Sequence, residues 1–135
     1  LDMFLEAYDF ALDDAEVAEA SFYVGYTNAL LNKPGQAMEY LSNLEVSPEE
    51  EYYFTYHFVK ANLLINGFAY EEAIDLLLSY EDTHATEEER QSIAFLLGIA
   101  YNDSGNPEDA QTYLQRARAI DPDSEIGKAA GQFIR

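Results

Sequence analysis

The chain has 135 residues, 48% of them hydrophobic, which is enough for one domain with a sizeable core and too few for two. Its 26 acidic residues against 7 basic ones give a formal net charge of −19, which is repelled by nucleic acid and by anionic membrane surfaces. There is no cysteine, so neither a disulfide framework nor a thiolate metal site exists. No apolar run approaches the roughly 18 residues of a membrane span, and no basic stretch followed by an apolar one marks a signal peptide. No membrane insertion is therefore expected; the absence of cysteine is silent about location, and a cytoplasmic one is the expectation.

In chain order, Phe4, Tyr8, Ala11 and Leu12 share a helical face in the first segment, which reads as the second half of a helical hairpin without its first. An unpaired helix of this kind leaves an apolar stripe uncovered, and the chain begins with Leu, so a fragment of a longer array is expected; a plain capping helix is the other reading. From Ala18 to Glu51 comes a fuller unit: a helix carrying Val24 and Gly25, a turn at Asn32-Lys33-Pro34-Gly35, and a second helix with Ala37, Leu41 and Leu44 on one face. Proline fits the first helical position because its missing N–H has no partner there. Ser47 and Glu50 have the spacing of a capping box for the helix that follows. The middle unit, Phe54 to Asp82, is less regular, with Ala61 where the first has Gly25, and with Ala73, Leu77 and Tyr80 in its second helix. Thr86 and Glu89 form a second capping-box pattern, with carboxylates in the first turn where the helix dipole favours them.

The clearest unit runs from Gln91 to Pro122. Leu97, Gly98 and Tyr101 lie on one face of its first helix, Gly105-Asn106-Pro107 breaks the chain, and Ala110, Leu114 and Ala117 lie on one face of the second. Two helices that cross closely need a small residue where their backbones approach, and Gly98 with Ala110 is the expected pair, with Ala117 serving the contact with the next helix. Gly25 to Ala37, Ala61 to Ala73 and Gly98 to Ala110 are each twelve residues, and Pro34 and Pro107 each follow their glycine by nine. Beyond Pro122, Ile126, Ala129, Ala130 and Phe133 recur at helical spacing, as a cap or as the start of a further unit. The expected helices are 3–12, 15–31, 35–45, 49–66, 70–80, 87–104, 107–119 and 124–134, with no sheet.

On these residues the chain resembles the tetratricopeptide repeat, a helix-turn-helix unit of about 34 residues with Leu-Gly and Tyr in its first helix, Ala and Leu or an aromatic in its second, and Pro at its end. The signature's fourth-position Trp is replaced by Ala94. The resemblance implies an all-α fold: an α-solenoid of antiparallel helix pairs in a right-handed superhelix, about three full repeats within 1–135 plus a partial N-terminal helix and a C-terminal helix.

Catalytic chemistry has little to work with. The two histidines, His57 and His84, lie 27 residues apart. Asp82, His84 and Glu87 make a weak metal grouping of a kind that acidic loops produce routinely, and Asp121, Asp123 and Glu125 lack the Gly and the distant Glu of a calcium loop. No Ser-His-Asp arrangement, phosphate cradle or nucleotide motif is present, so no enzyme, metal or cofactor is expected.

The resemblance instead implies protein binding in a concave groove lined by first helices. Carrying the family's ligand-contacting places over gives five residues in each unit, and of these the candidates are Phe22 and Tyr26 in the first full unit, Phe58, Asn62 and Ile65 in the second, and Phe95, Ile99 and Asn102 in the third. Phe22, Phe58 and Phe95 take the same place in each, as an aromatic ladder between whose rings a peptide seats apolar side chains while Asn62 and Asn102 bond its backbone. Alternatively these rings pack between neighbouring first helices. The clamp by which some family members hold acidic chaperone tails is not implied, because Phe22, Tyr26, Val59, Ser92 and Leu96 stand at its basic and amide places. The expected partner is a protein or peptide, or a second copy. The expected work is that of a scaffold or adaptor, with a holder of unfolded segments like the secretion chaperones, or a regulatory domain of a larger enzyme, as alternatives.

Overall fold

The computed structural model describes residues 14–83 and 85–134. Among the described residues seven helices follow one another, with no strand: α1 Asp14–Leu30, α2 Pro34–Leu41, α3 Tyr53–Asn66, α4 Tyr70–Thr83, α5 Glu87–Asp103, α6 Pro107–Ile120 and α7 Glu125–Phe133. The helix expected at 3–12 lies outside them. The described residues divide into two compact units, one ending at Leu63 and one beginning at Leu64, with the boundary inside α3.

In the first unit α1 and α2 fold back on each other. Gly25 makes this possible: a Cβ there would stand 2.7 Å from Leu41 Cγ and Cδ2 and 3.3 Å from the Ala37 carbonyl oxygen. The core gathers Phe22, Leu41, Tyr52 and Tyr56, with Tyr26, Leu44, Val46, Val59 and Leu63 against it. Asn28, 2% exposed, satisfies its buried amide by donating to the Val24 carbonyl at 2.9 Å.

The helix expected to end at 80 runs on to Thr83, and two expected boundaries in the first unit move by four residues, at places where tyrosines make contacts. The helix expected to reach 45 ends at Leu41: the Ser42 hydroxyl donates to the Met38 carbonyl, and the Tyr56 hydroxyl donates to the carbonyls of Leu41 at 3.0 Å, an acceptor that a longer helix would have paired with Glu45 N–H, and of Leu44 at 3.1 Å, whose i+4 residue is Pro48 and has no N–H to offer. The helix expected from 49 begins at Tyr53 instead. Ser47 does not cap it; its hydroxyl bonds the Glu49 carboxylate, which holds that carboxyl below its ordinary 4.5. The chain passes through successive turns, Glu50 N–H to Ser47 and Tyr53 N–H to Glu50, and these deliver the Tyr52 ring onto Phe22 at 4.6 Å.

In the second unit α5 and α6 form the tightest pairing. Gly98 stands opposite Leu114 as Gly25 stands opposite Leu41, its absent Cβ lying 2.6 Å from Leu114 Cγ and 3.4 Å from the Ala110 carbonyl oxygen. Leu97 is fully buried, and Ala94, Leu114, Ala117 and Ala130 form a cluster that brings α7 into the core, the role expected of Ala117. The Thr86 capping box forms as expected: Thr86 accepts from Glu89 N–H at 3.2 Å and the Glu89 carboxylate accepts from Thr86 N–H at 3.0 Å. At the other end Ser124 caps α7 by accepting from Gly127 N–H at 3.0 Å.

The three turns that join first to second helices are built alike. Lys33, Ala69 and Asn106 each donate their N–H to a carbonyl five residues back at 2.8 Å, and Ala37, Ala73 and Ala110 each donate to a carbonyl four back at 3.0, 3.1 and 3.0 Å. The residue before each five-back donor has a left-handed backbone: Asn32 at φ 58°, Phe68 at 66° and Gly105 at 88°.

Candidate peptide-binding surface

The eight candidate residues fall on first helices, and the structure separates them by burial. In the first unit Phe22 is 1% exposed. Its ring stacks on Tyr26 at 5.6 Å and on Tyr52 at 4.6 Å, and meets Tyr23 edge-on at 5.1 Å. Phe22 is therefore a core residue, and its side chain does not face an open groove; Tyr52, arriving from the turns before α3, covers it. Sequence spacing assigned Phe22 to the groove-lining places and carried no sign that another aromatic would close over it. Tyr26 and Phe58 are half-buried, Phe58 lying 5.6 Å from Phe54, and Asn62 is exposed.

In the second unit Ile65 is 4% exposed and likewise belongs to the interior. Helix α5 buries Gln91, Ile93, Ala94, Leu96, Leu97, Gly98 and Ala100, which leaves Phe95, Ile99 and Asn102 as the more open stripe on its remaining face. Phe95 and Ile99 are half-buried and Asn102 is exposed. The Phe95 ring meets Phe133 of α7 edge-on at 6.3 Å, so α7 borders this stripe at its N-terminal end. What the arrangement offers chemically is apolar contact from Phe95 and Ile99 and an amide, Asn102, able to donate and accept at once.

Two residues outside the candidate set stand out. Gln91, 5% exposed, donates from Nε2 to the carbonyls of Ala117 and Asp121, both at 2.9 Å, while its Oε1 accepts from the Ser124 hydroxyl at 3.1 Å. It ties the start of α5 to the α6–α7 junction. Phe68 is 78% exposed. A signal for it was present: Phe68 lies 36 residues after Asn32 and 37 before Gly105, so the repeat spacing assigns it the turn position that calls for Gly or Asn.

Among the described residues no group of three His, Asp or Glu side chains is placed to hold a metal ion, and no helix is long and apolar enough to cross a membrane. The Asp82, His84 and Glu87 grouping lies partly outside those residues. Comparison with known protein families, with curated proteins and with solved structures gives no match.

Proposed function

We propose that the chain is a protein-interaction module of the tetratricopeptide-repeat kind, a right-handed solenoid of antiparallel helix pairs that holds an apolar or aromatic segment of another protein against its first helices as a scaffold or adaptor. One observation carries this reading. The Gly25 and Gly98 close approaches reproduce each other atom for atom, each glycine against a Leu side chain and an Ala carbonyl oxygen, within a few tenths of an ångström. A pairing that recurs with the same contacts and the same turn hydrogen bonds is what a stacked repeat requires, and stacked repeats work by the extended surface they present.

With Phe22 and Ile65 in the interior, the binding residues are Tyr26, Phe58 and Asn62 in the first unit and Phe95, Ile99 and Asn102 in the second. The half-buried rings and Ile99 supply apolar contact, and the two asparagines bond a peptide backbone. The reading assigns no reaction, metal or cofactor to the chain. It is tested with a short peptide carrying two phenylalanines among neutral polar residues. Phe58→Ala and Ile99→Ala are expected to weaken its binding, Phe58→Ala by about 2 kcal/mol. Phe58→Ala is expected to cost the fold less than the roughly 3–5 kcal/mol of a truncated core Phe. Leu97→Ala, at a fully buried position, is expected to do the reverse. A Phe58→Ala protein that unfolds readily and yet binds unchanged when folded overturns the assignment.

A further inference from the structure

The α3–α4 turn breaks the pattern of its two counterparts. At the left-handed position Asn32 and Gly105 are residues that tolerate positive φ, whereas Phe68 is a bulky aromatic held at φ 66° with a glycine, Gly67, one place too early to relieve it. The strain does not serve the interior of the unit, since the ring is 78% exposed and meets Tyr70 edge-on at 6.2 Å. A large apolar ring held in water on a strained backbone is unfavourable twice over, and the cost of its exposure is removed when a partner covers the ring.

Beside Phe68 a cleft opens between this turn and the α5–α6 turn, with Tyr70 and Glu71 on one bank and Ser104 on the other. It continues past Asp75 to Tyr101 and Asn106. The cleft thus has an apolar edge at one end and, further in, two phenol rings with two carboxylates. Asn106 donates to the Ser104 hydroxyl at 3.1 Å, which fixes the far bank. Tyr101 stacks on Tyr113 at 5.5 Å, which fixes the floor.

We propose that this cleft docks a segment of a partner protein in which a lysine or arginine lies next to an apolar side chain. The apolar group covers Phe68. The cation sits against the Tyr70 and Tyr101 rings, where the quadrupole attracts it, and faces Glu71 and Asp75. Charge complementarity selects this occupant over an acidic or a purely apolar one, because the net charge of −19 draws basic segments in and turns acidic ones away. A partner of this kind uses the turn end of the hairpins and shares no residue with the first-helix surface proposed above, so either proposal can fail without the other.

The test uses the whole chain and three short probe peptides of equal length: alternating Phe and Lys, alternating Phe and Glu, and alternating Ser and Lys. The Phe–Lys peptide is expected to move amide resonances of residues 67–75, of Tyr101 and of residues 104–106, and to bind at least about tenfold more tightly than either other peptide. Phe68→Asn, which installs the residue found at the equivalent place of the α1–α2 turn, is expected to weaken Phe–Lys binding about tenfold while raising the melting temperature. Asp75→Asn is expected to weaken it several-fold with the melting temperature held. Equal binding of the Ser–Lys peptide reduces the effect to general attraction and overturns the proposal. So does unchanged Phe–Lys binding by Phe68→Asn, or a set of shifted resonances that leaves out 67–75.

Discussion

Gly25 and Gly98 each have Leu carbon atoms within 2.7 Å of where a Cβ would stand, Gly127 has the Asp121 carbonyl oxygen at 1.9 Å, and Gly35 has nothing within 4 Å. The same substitution therefore has opposite signs along one chain. Gly35→Ala, in the first turn of α2, is expected to stabilise by about 0.5–1 kcal/mol, because it removes only backbone freedom from the unfolded state. Gly98→Ala gains that term and loses more to overpacking, for a net cost of about 1–2 kcal/mol. Gly127→Ala meets backbone rather than a movable side chain and is expected to cost the most of the three; urea denaturation ranks them directly. A second residue-level prediction concerns phenols. Burial raises Tyr56 above the ordinary 10.0. Tyr52 is raised by burial first and then by Glu50, Glu19 and Tyr23, and Tyr101 by burial and then by Tyr113, Asp109 and Asp75. The folded state thus holds these protons more tightly than the unfolded one. The stability they contribute is fully present below pH 10.0 and is lost as pH rises through the folded values. The urea midpoint is expected to fall above about pH 10, and to fall less in Tyr56→Phe, which at neutral pH costs about 1 kcal/mol through the lost bonds to Leu41 and Leu44.

At the scale of elements, the end of the chain is held by polar contacts as much as by packing. Helix α7 has nine residues, too short to stand by itself, and its start is tied through Ser124 and Asp121 to Gln91. Gln91→Leu keeps roughly the volume and removes both donors, leaving the Ala117 carbonyl without its side-chain partner in a buried site. The expected cost is about 2 kcal/mol or more, and hydrogen exchange is expected to show α7 losing protection before α5 and α6. If α7 remains as protected as its neighbours, Ala130 in the apolar cluster is sufficient to hold it. A further cross-element contact joins α4 to α6, where Arg116 lies 3.6 Å from Glu81 and 4.8 Å above the Tyr113 ring.

Over the whole molecule, charge sets the response to solvent. Twenty-six carboxylates face seven basic side chains. Most of the acidic excess has no opposite charge available to it, so the like charges repel across distances comparable to the roughly 10 Å Debye length at 0.1 M salt. Added sodium chloride is expected to raise the melting temperature. A flat response from low to high salt means that the carboxylates are compensated locally, by bound cations, and titration with calcium or magnesium then locates them. The same field governs partners: both proposed surfaces accept a basic segment more readily as salt falls, and that salt dependence is expected to be steeper for the cleft beside Phe68, which contains carboxylates, than for the Phe95, Ile99 and Asn102 stripe, which does not.

Sequence by itself determined what local chemistry and spacing determine. The proline-led starts of α2 and α6, the Thr86 capping box and the glycine-to-alanine spacing of the hairpins were legible because each depends on residues a few places apart, and each is found where it was expected. Tertiary structure decided the rest, because burial is a property of neighbours distant in the chain. Phe22 and Phe58 occupy the same place in their repeats, yet only Phe22 receives a Tyr52 ring and disappears into the core. Ser47 and Thr86 carry similar capping patterns, yet the turns that bring Tyr52 onto Phe22 leave Ser47 bonded to Glu49 rather than to a helix. Tyr56 ends α2 from fifteen residues away, and Gln91 holds the start of α7 across more than thirty. No periodicity records these contacts. They exist because a polar atom left alone in a closed core is costly, and only the folded chain shows which carbonyl each hydroxyl or amide reaches.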